Sequence, residues 1–114
     1  MNYKWQVFLA DLSPAIGSEQ RGERPIAVVS DEDFNAVMPV VTVLPITSLK
    51  EGRRVYPNEV LLKAGHGGLR KDSIVLAHQI RTVSKARLKK QIGNINDAEI
   101  KEAINDALRI HLNL

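Results

Sequence analysis

Short apolar runs alternate with glycine- and charge-rich breaks along most of the chain, and the period changes only in the last segment. Gln6–Leu12 reads as a strand, and Pro25–Ser30 as a second one, β-branched and buried. Asp31–Asn35 fits a loop or a single helical turn. Val40–Ile46 is the strongest β-run, and Pro45 near its end points to an edge or a bulge, because proline brings no N–H to a ladder. Gly52 breaks the pattern within Lys50–Arg54. Glu59–Leu62 is a short strand, Gly65-His66-Gly67-Gly68 a loop, and Ser73–Ala77 and Gln79–Val83 two more short strands. Lys85–Gln91 is compatible with a shorter helix.

The last segment predicts a helix from its ends as much as from its middle. Asn96 is placed to cap, Glu99 completes a box-like start, and Ile95 and Ile100 take the staple positions. Ile100, Ala103, Ile104, Ala107, Leu108 and His111 then follow helical spacing along one face, where His111 is expected as a packed side chain. Several short strands followed by helices predict a small, strongly bent sheet or barrel with a packed terminal helix, as one domain over residues 1–114.

The connection between the first two strands is out of proportion. A hairpin turn needs about two to five residues. Here Ser13–Arg24 is spent on glycine and charge, including G-S-E-Q-R-G-E-R-P from Gly17 to Pro25. Arg24 closes it. Arginine is always charged and offers a planar fork of donors matched to phosphate. Pro25 biases Arg24 toward an extended backbone, which holds it at the junction of loop and strand. Local sequence alone favours a plainer reading, a surface arginine paired with Glu19 or Glu23. Thr47-Ser48 ends the strongest strand, where two hydroxyls suit a phosphate oxygen or a ribose hydroxyl; such residues also commonly close strands by bonding nearby backbone.

Composition narrows the classes. The absence of cysteine removes a disulfide framework and a cysteine nucleophile. The start, Met1-Asn2-Tyr3-Lys4-Trp5-Gln6, lacks the features of a secretory signal, and no apolar run approaches the roughly 20 residues of a membrane span. A cytoplasmic protein is the expectation. The net charge is only +3, but Arg81, Lys85, Arg87, Lys89 and Lys90 occur without an intervening acid, and Arg53-Arg54 and Arg70-Lys71 add two pairs. Such clusters fit either a polyanion ligand or a solvated face. Few aromatics argue against a broad stacking platform for bases. His66 among glycines fits a solvated loop. His78 ends a strand. Nothing in the spacing brings two imidazoles together, and no metal-ligand motif, Walker loop or nucleophile elbow occurs.

Taken in order, D-L-S-P (Asp11–Pro14), G-S-E-Q-x-G-x-R-P (Gly17–Pro25), P-I-T-S (Pro45–Ser48), D-S-I-V-L (Asp72–Leu76) and Q-I-R-T-V (Gln79–Val83) resemble the MazF/PemK (Kid) family of toxin endoribonucleases. The resemblance spans most of the chain. It implies a mainly β, SH3-like small barrel of the MazF/PemK/CcdB type with a C-terminal helix, acting as a homodimer. It implies cleavage of single-stranded RNA without a metal or other cofactor, away from membranes, and inhibition by a cognate antitoxin with an acidic, partly disordered tail. Arg24, Thr47 and Glu19 become the implied catalytic residues. Ser18, Gln20, Ser48, His78, Gln79, Arg81, Lys85 and Arg87 become the implied RNA contacts. The chain departs from the family pattern in two places. Lys4-Trp5-Gln6 replaces the usual basic residue, glycine and acid, and His78 replaces the usual acid before Q-[IV]-[RK].

The implied reaction is attack of the ribose 2′-hydroxyl on the adjacent phosphorus, leaving a 2′,3′-cyclic phosphate and a 5′-hydroxyl. Arg24 suits stabilisation of the more negative transition state, and Thr47 would position the phosphate or the 2′-hydroxyl. Glu19, His78 and water are all open as the base. The rival readings are a non-nucleolytic toxin of the same fold that binds a protein such as DNA gyrase, and a non-catalytic RNA-binding module.

Overall fold

The structure is a computed structural model that describes residues 2–114. Its strands are β1 (Gln6–Asp11), β2 (Glu23–Val28), β3 (Val40–Ser48), β4 (Glu59–Leu62), β5 (Ser73–Leu76), β6 (Arg81–Ser84) and β7 (Leu88–Asn94), and its helices α1 (Glu32–Val37) and α2 (Ala98–Leu112). They form one antiparallel sheet in the order β4-β5-β3-β2-β1-β7, with β6 paired to the first half of β3.

Alternate residues of the central strands serve two cores. Val7, Ala27, Leu44 and Ile46 face one, which α2 covers with Ile104 and Ala107. Phe8, Ile26, Val28, Val41 and Val43 face the other. A strand buried on both faces reads as a continuous apolar run, which is why β1–β3 stand out so plainly in the sequence.

Pro45 is not on an edge. Val29 N–H donates to Thr42 O at 2.9 Å, so by antiparallel alternation the N position of Pro45 points away from β2. On that side β3 pairs with β6 through Val43 and with β5 from Ile46 onward. The proline falls in the gap where the partner changes, and no ladder bond is lost.

The sheet is drawn round by close backbone contact. The turn between β4 and β5 lays Gly67 and Gly68 against Ile92 and Gly93 of β7. A Cβ on Gly68 would stand 1.9 Å from Ile92 O, and one on Gly93 would stand 2.4 Å from the Gly67 carbonyl carbon. Only hydrogen fits at either position.

Three expectations are corrected. Lys85–Gln91 is not a helix: one 3₁₀ turn at Lys85–Arg87 leads into β7, which pairs with β1. Gln79 belongs to a 3₁₀ turn, Ala77–Gln79, and the strand begins at Arg81. The cap of α2 is Asp97, whose carboxylate accepts from the N–H groups of Glu99 and Ile100. Along the helix Ile104 and Ala107 are buried while Ala103 and His111, expected on the packed face, are exposed. Trp5 adopts a left-handed backbone, φ 67°, at the place where the resemblance expects glycine. Its amide still joins the fold, N–H to Val28 O and carbonyl to Ile95 N–H, both at 2.8 Å.

Candidate active site

Two paired strands, β2 and β3, carry Arg24 and Thr47. β2 and β3 pair Val28 with Val43, Ala27 with Leu44 and Ile26 with Pro45. Beyond that pairing, Arg24 and Thr47 line the same cleft. The ladder itself stops first. The next bond from β2 would have to come from residue 25, and Pro25 has no N–H to give. At that break the surface opens into a cleft of about 330 Å³ lined by Arg24, Thr47, Ser48, Arg70, Lys71 and Ser73 among others, with no carboxylate. Arg24 Nε donates to Arg21 O at 3.2 Å, which fixes the guanidinium against its own loop. Thr47 and Ser48 also line a second cleft, of about 490 Å³, whose lining includes Gln20, His78 and Gln79. The end of β3 is thus shared by two clefts.

The long loop is tied down at its base and at its tip. At the base, Leu12 N–H donates to Gly22 O at 2.9 Å, and Gly22 N–H to the Ser13 hydroxyl at 2.9 Å. Arg87 Nη1 donates to Asp11 O (3.0 Å) and Ser13 O (2.6 Å), and Arg81 Nη1 to Leu12 O (3.2 Å). At the tip, the Gln79 amide bonds to the backbone of Ser18 and Gln20. Glu19 Oε1 accepts from Ile16 N–H at 2.8 Å and so closes a turn of the loop. Glu19, Ser18, His78, Gln79 and Arg81 share a third cleft of about 450 Å³.

The structure therefore gathers Arg24, Thr47 and Ser48, and next to them Ser18, Glu19, Gln20, His78, Gln79 and Arg81. Lys85 stands apart. Its ammonium lies over the Tyr3 ring, 4.7 Å from the centroid, and bonds to Asn35 O. His66 is exposed in the β4–β5 turn.

Sequence reasoning passed over Glu59 and Arg53. The Glu59 side chain is only 2% exposed, yet it is ionised. Arg53 donates to both carboxylate oxygens, at 2.9 and 2.8 Å, and Tyr56 N–H and His78 Nε2 complete the set at 3.0 and 2.8 Å. The Arg53 guanidinium above all, with the Tyr56 N–H and the His78 bond, holds the Glu59 carboxyl down to about 2 from the usual 4.5, against the opposing effect of burial. An acid within a β-run carries no local sign of such partners. His111 was expected to pack under the helix. It lies instead beside His78, ring centroids 6.3 Å apart, so two imidazoles do converge. The last turn of α2 runs past the core, and Ile110 and Leu112 are exposed with it.

Among the described residues no three of His, Cys, Asp and Glu gather as a metal site, and no helix is long and apolar enough to cross a membrane.

The profile of one protein family, described as the PemK-like, MazF-like toxin of type II toxin-antitoxin systems, matches residues 3–112. Endoribonuclease MazF9 of Mycobacterium tuberculosis is 42% identical over 115 aligned positions, covering 96% of this chain and 92% of its own. Endoribonuclease MazF of Staphylococcus saprophyticus is 39% identical, over all of this chain and 93% of its own. Among solved structures, an endoribonuclease in complex with its cognate antitoxin from a mycobacterial species superposes with a TM-score of 0.81 at 25% identity, covering 100% of this chain and 97% of that one.

Proposed function

This chain belongs to the PemK-like, MazF-like family of type II toxins, the toxin endoribonucleases, and from that premise we propose that it cuts single-stranded RNA at Thr47 and Ser48. The observation that carries this reading is the carboxylate-free cleft that Arg24 and Thr47 line together, with two further cations, Arg70 and Lys71. A phosphodiester in that cleft meets positive charge and hydroxyl donors and no repelling acid.

The 2′-hydroxyl attacks the adjacent phosphorus, the bond to the 5′ oxygen breaks, and a 2′,3′-cyclic phosphate and a 5′-hydroxyl remain. Arg24 binds the non-bridging oxygens as their charge grows, which favours the transition state over the bound substrate. Thr47 Oγ1 holds the phosphate or the attacking hydroxyl in place. No step calls on a metal. The protein works as a cytoplasmic homodimer whose 1–114 domain is held in check by an antitoxin. An acidic, initially disordered antitoxin tail suits the same cationic cleft and would order on it in competition with RNA.

The test is cleavage of RNA in excess chelator, beside the same RNA with 2′-deoxyribose at the scissile position. The ribose substrate is expected to be cut and the deoxyribose substrate to survive. Equal cutting of both would remove the 2′-hydroxyl from the mechanism.

A further inference from the structure

We propose that His78 is the general base of this cleavage and that Glu59 is the residue that positions it. The inference rests on the reaction proposed above and names the group that takes the 2′-hydroxyl proton.

Glu59 is a buried carboxylate with every nearby donor turned toward it, and His78 is one of those donors. An ionised carboxylate only accepts hydrogen bonds, so in the neutral imidazole the hydrogen sits on Nε2, and Nδ1 keeps its lone pair. Nδ1 is bonded to none of the described residues, and the His78 side chain is 30% exposed against 2% for Glu59. A buried acid thus holds an accessible imidazole in one tautomer. The same division of labour lets a buried carboxylate orient a histidine base in hydrolases and steady the imidazolium once it forms.

Position points to the same role. His78 lines one of the two clefts that share Thr47 and Ser48, and Arg24 lines the other. A phosphate seated at Thr47–Ser48 borders both the cleft that holds the imidazole, placed to take the 2′-hydroxyl proton, and the cleft that holds the guanidinium, placed for the non-bridging oxygens. Glu19, the alternative acid, is exposed and already accepts the Ile16 N–H.

In the step itself, Nδ1 takes the proton of the 2′-hydroxyl as O2′ bonds to phosphorus. The 5′ oxygen leaves with the electron pair of the broken bond and takes a proton from water. The imidazolium then returns its proton to solvent.

Several charged groups surround His78. Glu59 of β4 bonds to it directly, and Arg53, from the segment before β4, bonds to Glu59. His111 of α2 stands at 6.3 Å. Glu19 and Arg81 line one cleft with it, and Lys50, Glu51 and Arg53 another, so each cleft holds both signs of charge. Glu59 is therefore the decisive neighbour.

The experiment is single-turnover cleavage at saturating RNA across pH, for wild type, His78→Gln and Glu59→Gln. Affinity for a 2′-deoxy analogue is measured alongside, and folding is checked by circular dichroism. A second substrate carries sulfur in place of the 5′ leaving oxygen. His78→Gln should slow cleavage about a hundredfold or more while binding the analogue as wild type does. Its pH–rate profile should lose the acid limb. The defect should persist with sulfur, which leaves without a proton and so compensates only for a missing acid. Glu59→Gln should bind RNA normally and shift the acid limb. If Glu59→Gln fails to fold, His78→Gln, a partly exposed position, carries the test alone. Wild-type rates for His78→Gln, or full rescue of it by sulfur, would overturn the assignment of the base. An unmoved acid limb in folded Glu59→Gln would overturn the positioning role. If wild type itself leaves the ribose substrate intact, it is the reaction proposed above that fails.

Discussion

Gln79 holds Gln20: its side-chain Oε1 accepts the Gln20 backbone N–H at 2.8 Å, while its Nε2 donates to Ser18 O at 3.2 Å. One amide, from the turn that also presents His78, thereby bridges two backbone groups at the tip of the long loop. The loop that carries Glu19 and leads to Arg24 is set against the His78 turn by a side chain 59 residues away from Gln20.

Gln79→Ala should release that tip without unfolding the protein. A net hydrogen bond of about 1 kcal/mol corresponds to roughly fivefold in a local opening equilibrium. Amide exchange at Gln20 is expected to speed by about that factor, with the melting temperature little changed. Exchange measured residue by residue checks it. Unchanged protection at Gln20 would mean that the loop holds its shape without the bridge.

Arg24 and Arg87 should fail in different ways. Arg87 donates to Asp11 O and Ser13 O at the loop base, so Arg87→Ala leaves two carbonyls to find other partners. A stability loss of about 1–3 kcal/mol is expected, since hydrogen bonds to charged groups lie at the strong end. Arg24→Ala should cost little stability. It should lower the single-turnover rate about a hundredfold or more, and RNA affinity much less. Denaturant unfolding and cleavage at saturating RNA, run on both variants, separate the roles.

Glu59 makes part of the stability depend on acid. Its carboxyl titrates at about 2 in the folded protein against 4.5 ordinarily. A depressed folded value stabilises the protein above the unfolded value, and that stabilisation disappears as pH falls from about 4.5 through about 2. The contribution at neutral pH is on the order of 3 kcal/mol. Wild type should therefore exceed Glu59→Gln in stability at pH 7, and the difference should shrink across that window. Urea unfolding of both proteins at pH 7 and near pH 3 measures it. A difference that stays constant would contradict the Arg53–Glu59 assignment.

Gly93 should tolerate no side chain. A Cβ there would lie 2.4 Å from one backbone carbon and 2.5 Å from the Gly68 nitrogen, and neither can rotate away. Gly93→Ala is expected to destabilise by about 3 kcal/mol. Gly52→Ala is the control. Gly52 has φ +78° with open space around it, so alanine there meets only backbone strain, about 1 kcal/mol. Equal losses at the two positions would mean that the contact between the β4–β5 turn and β7 does not hold the sheet together.

The sequence by itself determined the elements whose signals are local. β1–β3 are buried on both faces and so appear as unbroken apolar runs. α2 has its period and its cap within a few residues, and the error over Asn96 and Asp97 was one position. The loop and its Arg24-Pro25 end were legible because glycine, proline and charge act on the backbone where they stand. Tertiary structure decided the rest. Lys85–Gln91 has the composition of a helix, and pairing with β1 made most of it an edge strand. Arg81, Arg87 and Lys85 looked alike as cations, yet two fasten the loop base and the third lies over Tyr3. Glu59 gained its histidine across 19 residues, and His111 came to His78 from another element altogether. Periodicity and turn chemistry are properties of neighbouring residues, whereas ion-pair partners depend on strand register and helix placement, which are settled only when the whole core packs.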